Sequence, residues 1–236
     1  EKGEVVWFPN FFPASEYERV SKSTEIAITT RGSEAYLPMI DMIFNLYDPN
    51  RPYVTDVRVR RAIAYAIDKK LVTDRVCFGV PAGRPAVGPF PYGFPWAYDP
   101  AEPYPYDVAK ANAILDEAGY KKGADGMRFS LKWVFTPHVA QIPIATDVVR
   151  QQLREVGIDA KLVSLDYATA TEVVKVKKDF DLNIHSIGPS IPDPSGFQRL
   201  YDSREIGLTP LIPNNPSSYR NQAVDELFDK ASSEID

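Results

Sequence analysis

The side chains most often used in catalysis are few in this chain, and they show no familiar spacing. The two histidines, His138 and His185, stand in separate segments, and the single cysteine is Cys77. One cysteine excludes an intrachain disulfide and any zinc site built from several cysteines, and two distant histidines lack metal-ligand spacing. Neither G-x-x-x-x-G-K-S/T nor G-x-G-x-x-G occurs, so both common phosphate-binding loops are absent. We therefore expect neither a cofactor nor a metal site.

Ser190 is the centre of the run GPSIP at residues 188–192. This run is similar to the G-x-S-x-G nucleophile elbow of serine hydrolases, but Pro192 replaces the final glycine. The elbow is a tight strand-to-helix turn that requires small residues at that position. The sequence also assigns no base to the serine and no pair of carboxylates. A hydrolase is therefore the least favoured interpretation, and we expect no enzymatic activity.

The segment at residues 184–197, IHSIGPSIPDPSGF, suits a different chemistry. It follows a predicted strand and is rich in glycine, proline and serine, with one carboxylate, Asp193. In open α/β sheets, the loops at the carboxyl ends of strands bind ligands. Hydroxyl groups, backbone groups and one acid suit reversible recognition of a small solute better than bond cleavage. An ordinary turn is the alternative interpretation.

Alternating strand and helix patterns lead up to this loop. Residues 129–135 alternate apolar and polar side chains as a strand does, and residues 139–156 carry a helical apolar stripe. A strand at 158–165, a helix at 167–178 and a strand at 180–187 continue the series. This order predicts an α/β fold with flanking helices around a sheet.

Other segments extend this prediction toward both ends of the chain. The apolar run at 39–46 predicts a strand buried on both faces, and the alternation at 25–29 predicts another strand. Asp56 precedes a predicted helix that ends at residue 67. The helix predicted at 222–233 follows Asn221, and its inward-facing side chains are expected to be Val224, Leu227, Phe228 and Ala231.

Composition excludes several classes of protein. The chain has 27 Lys and Arg against 32 Asp and Glu, a net charge of −5, and no basic run. We therefore expect it to bind neither nucleic acid nor an anionic membrane. Many of the 21 prolines fall at residues 81–106, interleaved with aromatic residues. This Pro/aromatic loop either packs onto its own domain or binds a partner, so a non-transport interaction module is an alternative function.

Five stretches together resemble the C-terminal lobe of the extracytoplasmic solute-binding proteins of peptide/nickel-type ABC transporters, the family 5 solute-binding proteins. The stretch DVRVRRAIAYAIDKKLV at 56–72 is similar to the long signature helix of that family. The stretch YPYDVAKANAILDEAGY at 104–120 resembles its helix ending in Ala-Gly-Tyr. The remaining three are ATDVVRQQLREVGIDAKLV at 145–163, FDLNIHSIGPSIPDP at 180–194 and YRNQAVDELFDKA at 219–231.

This resemblance implies one lobe of a two-lobed periplasmic-binding-protein-like fold, with a mixed sheet and flanking helices. It implies that residues 1–38 lead from another lobe and that residues 39–236 form the C-terminal solute-binding lobe, truncated at its C-terminus. The implied function is capture of a peptide-like or other small polar solute, such as a sugar, for an ABC permease in the membrane. The implied location is periplasmic or extracellular, with a lipoprotein anchor as one option. The protein is expected to be monomeric.

The resemblance also implies ligand-binding residues. In the amine-binding peptide members, an aspartate stands four residues before the proline of the Asp-Pro turn, and here that position is Ser190. A large aromatic residue is common three positions earlier, and here it is replaced by Ile187. Because a buried ammonium needs a paired carboxylate, these replacements predict a solute that is not held by a free α-amine. The candidate ligand-binding residues are Ile187, Gly188, Ser190, Asp193, Tyr167 and His138.

Overall fold

The chain is built around one mixed sheet, seen here in a computed structural model. The structure describes residues 14–29, 39–78, 80, 83–88, 90, 99–187, 194–207 and 215–234. In these ranges the strands are β1 (Met39–Phe44), β2 (Phe129–Phe135), β3 (Ile158–Ser164) and β4 (Leu182–Ile187). Their order across the sheet is β1-β4-β2-β3. β2 runs parallel to both β3 and β4, whereas β1 runs antiparallel to β4.

Helices precede, connect and follow the strands. Those in the described ranges are α1 (Tyr17–Ser21), α2 (Pro52–Thr55), α3 (Val57–Ala66), α4 (Lys69–Cys77), α5 (Val108–Glu117), α6 (Gln141–Glu155), α7 (Tyr167–Thr171), α8 (Gln198–Tyr201) and α9 (Gln222–Ser233). None of these helices is both long and apolar enough to cross a bilayer. The mixed α/β fold with flanking helices agrees with the sequence prediction.

Side-chain caps explain where the longer helices begin. Asp56, Asp68 and Asp107 precede α3, α4 and α5, and each carboxylate accepts a hydrogen bond from a first-turn backbone N–H at 2.8–2.9 Å. The side-chain oxygen of Asn221 does the same for α9, at 3.0 Å. Each bond satisfies an N–H that lacks a partner within the helix. The predicted helix starts after Asp56 and Asn221 are thereby confirmed.

Alternation along β2 divides the core between the two faces of the sheet. Leu131, Trp133 and Phe135 belong to the larger cluster, which includes side chains of α3 to α6. Val134, between them, points to the opposite face, as the strand period of two requires. The smaller cluster on that face consists of Ile43, Val134, Ala170, Val174 and Phe180.

β1 differs from the doubly buried strand that its apolar run predicted. It lies at the edge of the sheet, and Ile43 is the one buried side chain among those described in this strand. The apolar run correctly indicates a strand, but pairing partners are a non-local property that the run does not encode. Residues 41–44 of β1 instead line a cavity.

Three further predictions need correction. Residues 25–29 form no strand, because they pair with no strand of the described sheet and are mostly exposed. The helix predicted at 167–178 is the short α7 followed by a π-helical turn (Glu172–Val176). In α9, Leu227, which is 62% exposed, and Ala231 are both exposed rather than turned inward. α8 and two short 3-10 turns (Pro194–Phe197 and Ser203–Glu205) pack beside α9, yet no residue of α9 is buried, so its apolar stripe is incompletely covered.

Arg128, directly before β2, joins two helix ends to the sheet. Its side chain is 2% exposed. The guanidinium donates to the carbonyl of Val156 at 2.8 Å, to Asn112 Oδ1 at 2.9 Å, to Asp116 Oδ1 at 2.7 Å and to the carbonyl of Tyr120. The two carbonyls lie just beyond α6 and α5, where helical carbonyls lack intrahelical partners. The hydrogen bond from Arg128 also lowers the pKa of the Asp116 carboxyl.

Candidate functional site

The carboxyl ends of β2 and β4 lie at the same edge of the sheet, beside a pocket of about 220 Å³. Open α/β sheets bind ligands at this edge. Part of the pocket wall is apolar and belongs to the smaller core cluster. The described residues that line the pocket are Ile43, Thr136, His138, Tyr167, Ala170, Thr171, Val174, Lys175, Asn183, Ile184, Ser186, Arg199, Leu200 and Pro216.

His138, in the turn after β2, and Tyr167, the first residue of α7, meet at this pocket. Their rings are 5.6 Å apart between centroids, in an edge-to-face arrangement with an interplanar angle of 72°. His138 Nδ1 also lies 2.6 Å from Thr136 Oγ1, and this hydrogen bond orients the imidazole. Tyr167 is 61% exposed, so its ring is available to contact a solute. An aromatic ring with a hydroxyl offers both apolar contact and hydrogen bonding.

Asp166 fixes the start of α7 and thereby the position of Tyr167. Its carboxylate accepts hydrogen bonds from Thr169 N at 3.0 Å and from Thr169 Oγ1 at 2.6 Å. These bonds lower the pKa of Asp166, so the carboxylate stays ionised at neutral pH. On the other side, Leu165 N donates to the carbonyl of Phe135 at 3.0 Å and ties the end of β3 to the end of β2.

Polar groups of β4 and α7 complete the neutral part of the lining. Asn183 is 7% exposed, and its Nδ2 donates to the carbonyl of Val134 at 3.0 Å, which holds this side chain against β2. Thr171 Oγ1 donates to the carbonyl of Tyr167 at 2.8 Å. Ser186 adds a hydroxyl near the end of β4. The described lining therefore presents one side-chain amide and several hydroxyl groups beside apolar surface, as small-molecule sites commonly do.

The charged residues of the described lining are both cations. Lys175 lies on the π-helical turn, and Arg199 lies on α8. Burial lowers the pKa of the Lys175 ammonium, and the positive charge of Arg199 lowers it further. Arg199 Nε donates to the carbonyl of Gly196 at 3.1 Å, which positions the guanidinium. No Asp or Glu is found among the described lining residues.

Two of the six candidate residues from the sequence, His138 and Tyr167, are brought together at this pocket. Ile187 ends β4, and its backbone pairs with that of β1. The other three lie outside the described residues, so their roles stay predictions: Gly188, Ser190 and Asp193.

Most of the described lining residues were not predicted from the sequence, among them the polar residues Thr136, Asn183, Lys175 and Arg199. The position of Thr136 could have indicated a lining residue, because Thr136 directly follows β2, whose end lies beside the end of β4. Asn183 could also have been noticed, because a polar residue inside an apolar strand needs a hydrogen-bond partner. No sequence pattern indicates Lys175 and Arg199 as lining residues, because their proximity depends on how α8 packs near the π-helical turn.

A second, larger cavity of about 470 Å³ lies along the edge strand β1, with Tyr201 and Tyr219 in its wall. Arg60 also lines it, but its guanidinium donates to the carbonyls of Val54 and Thr55 at 2.8 Å each. Arg60 therefore caps the carboxyl end of α2 by satisfying two of its free carbonyls. Neither His138 nor Tyr167 lines this cavity, and it does not lie at the carboxyl edge of the parallel strands. The smaller pocket is the stronger candidate site.

Cys77, the possible metal ligands and the Pro/aromatic loop can each be examined in the described residues. Cys77 is half-buried, and burial raises the pKa of its thiol, which disfavours a nucleophilic thiolate. In the described ranges no group of three or more His, Cys, Asp or Glu could hold a metal ion. The Pro/aromatic loop is described only at residues 83–88, 90 and 99–106, which form neither helix nor strand. Its use as a partner surface therefore stays a prediction.

Comparison with known proteins identifies the relatives of this chain. A family model described as bacterial extracellular solute-binding proteins, family 5 Middle, matches residues 1–207. Protein XP55 of Streptomyces lividans is 34% identical over 194 residues, which cover 77% of this chain and 33% of that protein. The glutathione-binding protein GsiB of Salmonella choleraesuis is 35% identical over 176 residues, which cover 71% of this chain and 32% of that protein. The chain thus spans about a third of the length of these relatives.

Solved structures agree with the fold. The ABC transporter-associated periplasmic binding protein DppA from Helicobacter pylori, in complex with peptide STSA, matches with a TM-score of 0.77 at 23% identity. The match covers 95% of this chain and 40% of that one. Such neighbours are two-lobed periplasmic binding proteins, of which this chain corresponds to a part. The relatives are binding proteins and not enzymes, in agreement with the sequence prediction. The chain belongs to the family 5 bacterial extracellular solute-binding proteins.

Proposed function

We propose that the protein containing this chain is the solute-binding component of a bacterial ABC importer. It captures a peptide-like or other small polar solute outside the cytoplasmic membrane and delivers it to a membrane permease. The described chain supplies one lobe and therefore one side of the binding cleft. Residues 39–236 contain this lobe, residues 1–38 lead into it from another lobe, and a lipid anchor is one way to hold the protein near its permease.

The observation that carries this proposal is the meeting of His138 and Tyr167 at the carboxyl edge of the sheet. Two rings, several hydroxyl groups, one side-chain amide and an apolar wall surround one pocket. This arrangement gives directional contacts without a paired nucleophile and base, which suits reversible binding. Family membership agrees with that function.

The names of two relatives guide the choice of solutes. One is called glutathione-binding, and another was solved with a short peptide. Ser190 at the position of the family's amine-anchoring aspartate favours a solute that is not held by a free α-amine. A first panel therefore consists of glutathione, di- to pentapeptides, their N-acetyl forms and oligosaccharides. We expect thermal-shift binding by members of this panel to survive N-acetylation.

Replacing Tyr167 with alanine tests the role of the pocket. In the full-length protein we expect this change to weaken the tightest panel solute about 10-fold, since an aromatic contact adds about 0.5–1.5 kcal/mol beyond area burial. Titration calorimetry measures the loss. The matched control is Tyr47→Ala, because Tyr47 is similarly exposed, at 59%, and lines neither cavity. Equal affinities of the Tyr167 and Tyr47 variants would exclude this pocket as the site.

A further inference from the structure

Helix α8 contributes part of the pocket wall, although it is a very short helix. Arg199 and Leu200 both belong to α8 and line the pocket, and Leu200 also lines the larger cavity beside β1. A single turn of four residues does not stay helical by itself, because forming the first turn of a helix is unfavourable. The position of this part of the wall is therefore set by contacts with other segments of the chain.

Hydrogen bonds from Asn215 hold the backbone of α8. Asn215 N donates to the carbonyl of Arg199 at 2.6 Å, and Asn215 Nδ2 donates to the carbonyl of Asp202, directly after the helix, at 3.0 Å. Asn215 is buried and has a φ of 38°, in the left-handed region that asparagine adopts more readily than most residues. These bonds fix the main chain of α8, whereas its apolar side chains are packed by a separate contact.

That separate contact is aromatic and comes from Phe90. Phe197, directly before α8, and Leu200 form a small core cluster in which each is 4% exposed. Phe90 packs against this cluster, and its ring meets that of Phe197 edge to face, with 5.1 Å between centroids and an interplanar angle of 76°. The cluster is separate from the two that flank the sheet, so it holds α8 independently of them.

This ring contact joins the two segments that stand out in the sequence. Phe90 belongs to the Pro/aromatic loop at residues 81–106, and Phe197 is the last residue of the segment 184–197, which is predicted to bind a ligand. At Phe90, the Pro/aromatic loop therefore packs onto its own domain, and it does so beside the helix that carries part of the pocket wall.

We propose that Phe90 is a positioning residue of the solute site, because its packing on Phe197 and Leu200 holds α8 in the place that the solute requires. Phe90 is not among the described lining residues of either cavity, so it acts through α8 and not by touching the solute. A wall that is ordered before binding costs no further ordering, whereas a loose wall must be ordered at the expense of affinity. The inference rests on the proposed function and adds to it a residue outside the pocket.

Replacing Phe90 with alanine tests the inference through solute affinity. The probes are glutathione, N-acetylated di- to pentapeptides and oligosaccharides, titrated by calorimetry into the full-length protein. We expect Phe90→Ala to weaken each probe that binds by about 3- to 10-fold, because the contribution of one aromatic pair must then come from the binding free energy. Phe90→Leu keeps an apolar side chain and is expected to restore part of the affinity.

Tyr106→Ala is the matched control for this variant. Tyr106 is an aromatic residue of the same loop, is 48% exposed and lines neither cavity, so its removal is expected to leave solute affinity unchanged. Circular dichroism melting of every variant checks that the fold is retained. Phe90→Leu carries the test by itself if Phe90→Ala does not fold.

Hydrogen exchange of the solute-free protein locates the effect and does not depend on the choice of probe. Asp202 N and Asn215 N donate to the carbonyls of Gln198 and Arg199 in α8, at 2.8 and 2.6 Å. In Phe90→Ala we expect these two amides to exchange about 3- to 10-fold faster, while the amides of α6 keep their rates. A role in overall stability alone would instead lower the melting temperature and leave the affinity of the folded protein unchanged.

The outcomes separate this inference from the proposed function. Unchanged affinity of Phe90→Ala and Phe90→Leu, or unchanged exchange at Asp202 and Asn215, would overturn the positioning role and leave solute binding intact. An equal loss of affinity in Tyr106→Ala would also overturn it, because the effect would then belong to the loop in general. Binding of no probe by the unaltered protein would overturn both the inference and the proposed function.

Discussion

Replacing Arg128 with methionine is expected to lower the free energy of unfolding by about 3 kcal/mol, since several hydrogen bonds to one cation are lost together. Methionine keeps most of the apolar stem but leaves the carbonyls of Val156 and Tyr120 and the side chain of Asn112 without this donor. Unsatisfied buried acceptors carry the larger part of the cost. Urea denaturation of the purified chain measures the change.

Lys121→Met is the matched control for this prediction. Lys121 approaches the same carboxylate, Asp116, at 3.9 Å, but its side chain is 72% exposed. Exposed ion pairs contribute about 0–1 kcal/mol, so the control should hardly change stability. Arg128→Lys should fall between the two, because one ammonium cannot reach all four acceptors. A loss below about 1 kcal/mol in Arg128→Met would show that Arg128 does not hold the helix ends.

The isolated chain is expected to bind the solute at least about 100-fold more weakly than the full-length protein, equivalent to about 2.8 kcal/mol. The described lobe offers one wall, with Tyr167 61% exposed at the pocket. Binding sites usually bury about 70–90% of a small ligand, which requires a second wall. In the two-lobed fold, closure of the other lobe supplies that wall.

Calorimetric titration of the same solute into both proteins measures this difference. Cooperative thermal unfolding of residues 1–236 is the control, and we expect it because the sheet is packed on both faces. Equal affinity of the folded chain and the full-length protein would contradict a cleft between two lobes. It would show instead that the pocket of this lobe is sufficient.

Features encoded by neighbouring residues were predicted well from the sequence. An acid or amide placed before an apolar stripe marked the starts of α3 and α9, and the caps at Asp56 and Asn221 have the expected hydrogen bonds. The alternation at Phe129–Phe135 marked β2 correctly. These patterns depend on local geometry, namely helix-end donors without partners and a side-chain period of two.

Features that depend on distant segments were predicted less well. The edge position of β1, the exposure of Leu227 and the four partners of Arg128 all follow from which elements meet. The candidate site shows the same division. The position of His138 just after a predicted strand indicated that it could line the site. The cations Lys175 and Arg199 come from elements whose packing no local pattern encodes.

The most direct test is a crystal structure of the full-length protein with its tightest solute. We predict solute atoms within about 4 Å, the usual contact distance, of both His138 and Tyr167, with another lobe covering the opposite side. A solute that contacts neither residue, for example one seated in the cavity beside Tyr201, would contradict the proposed site.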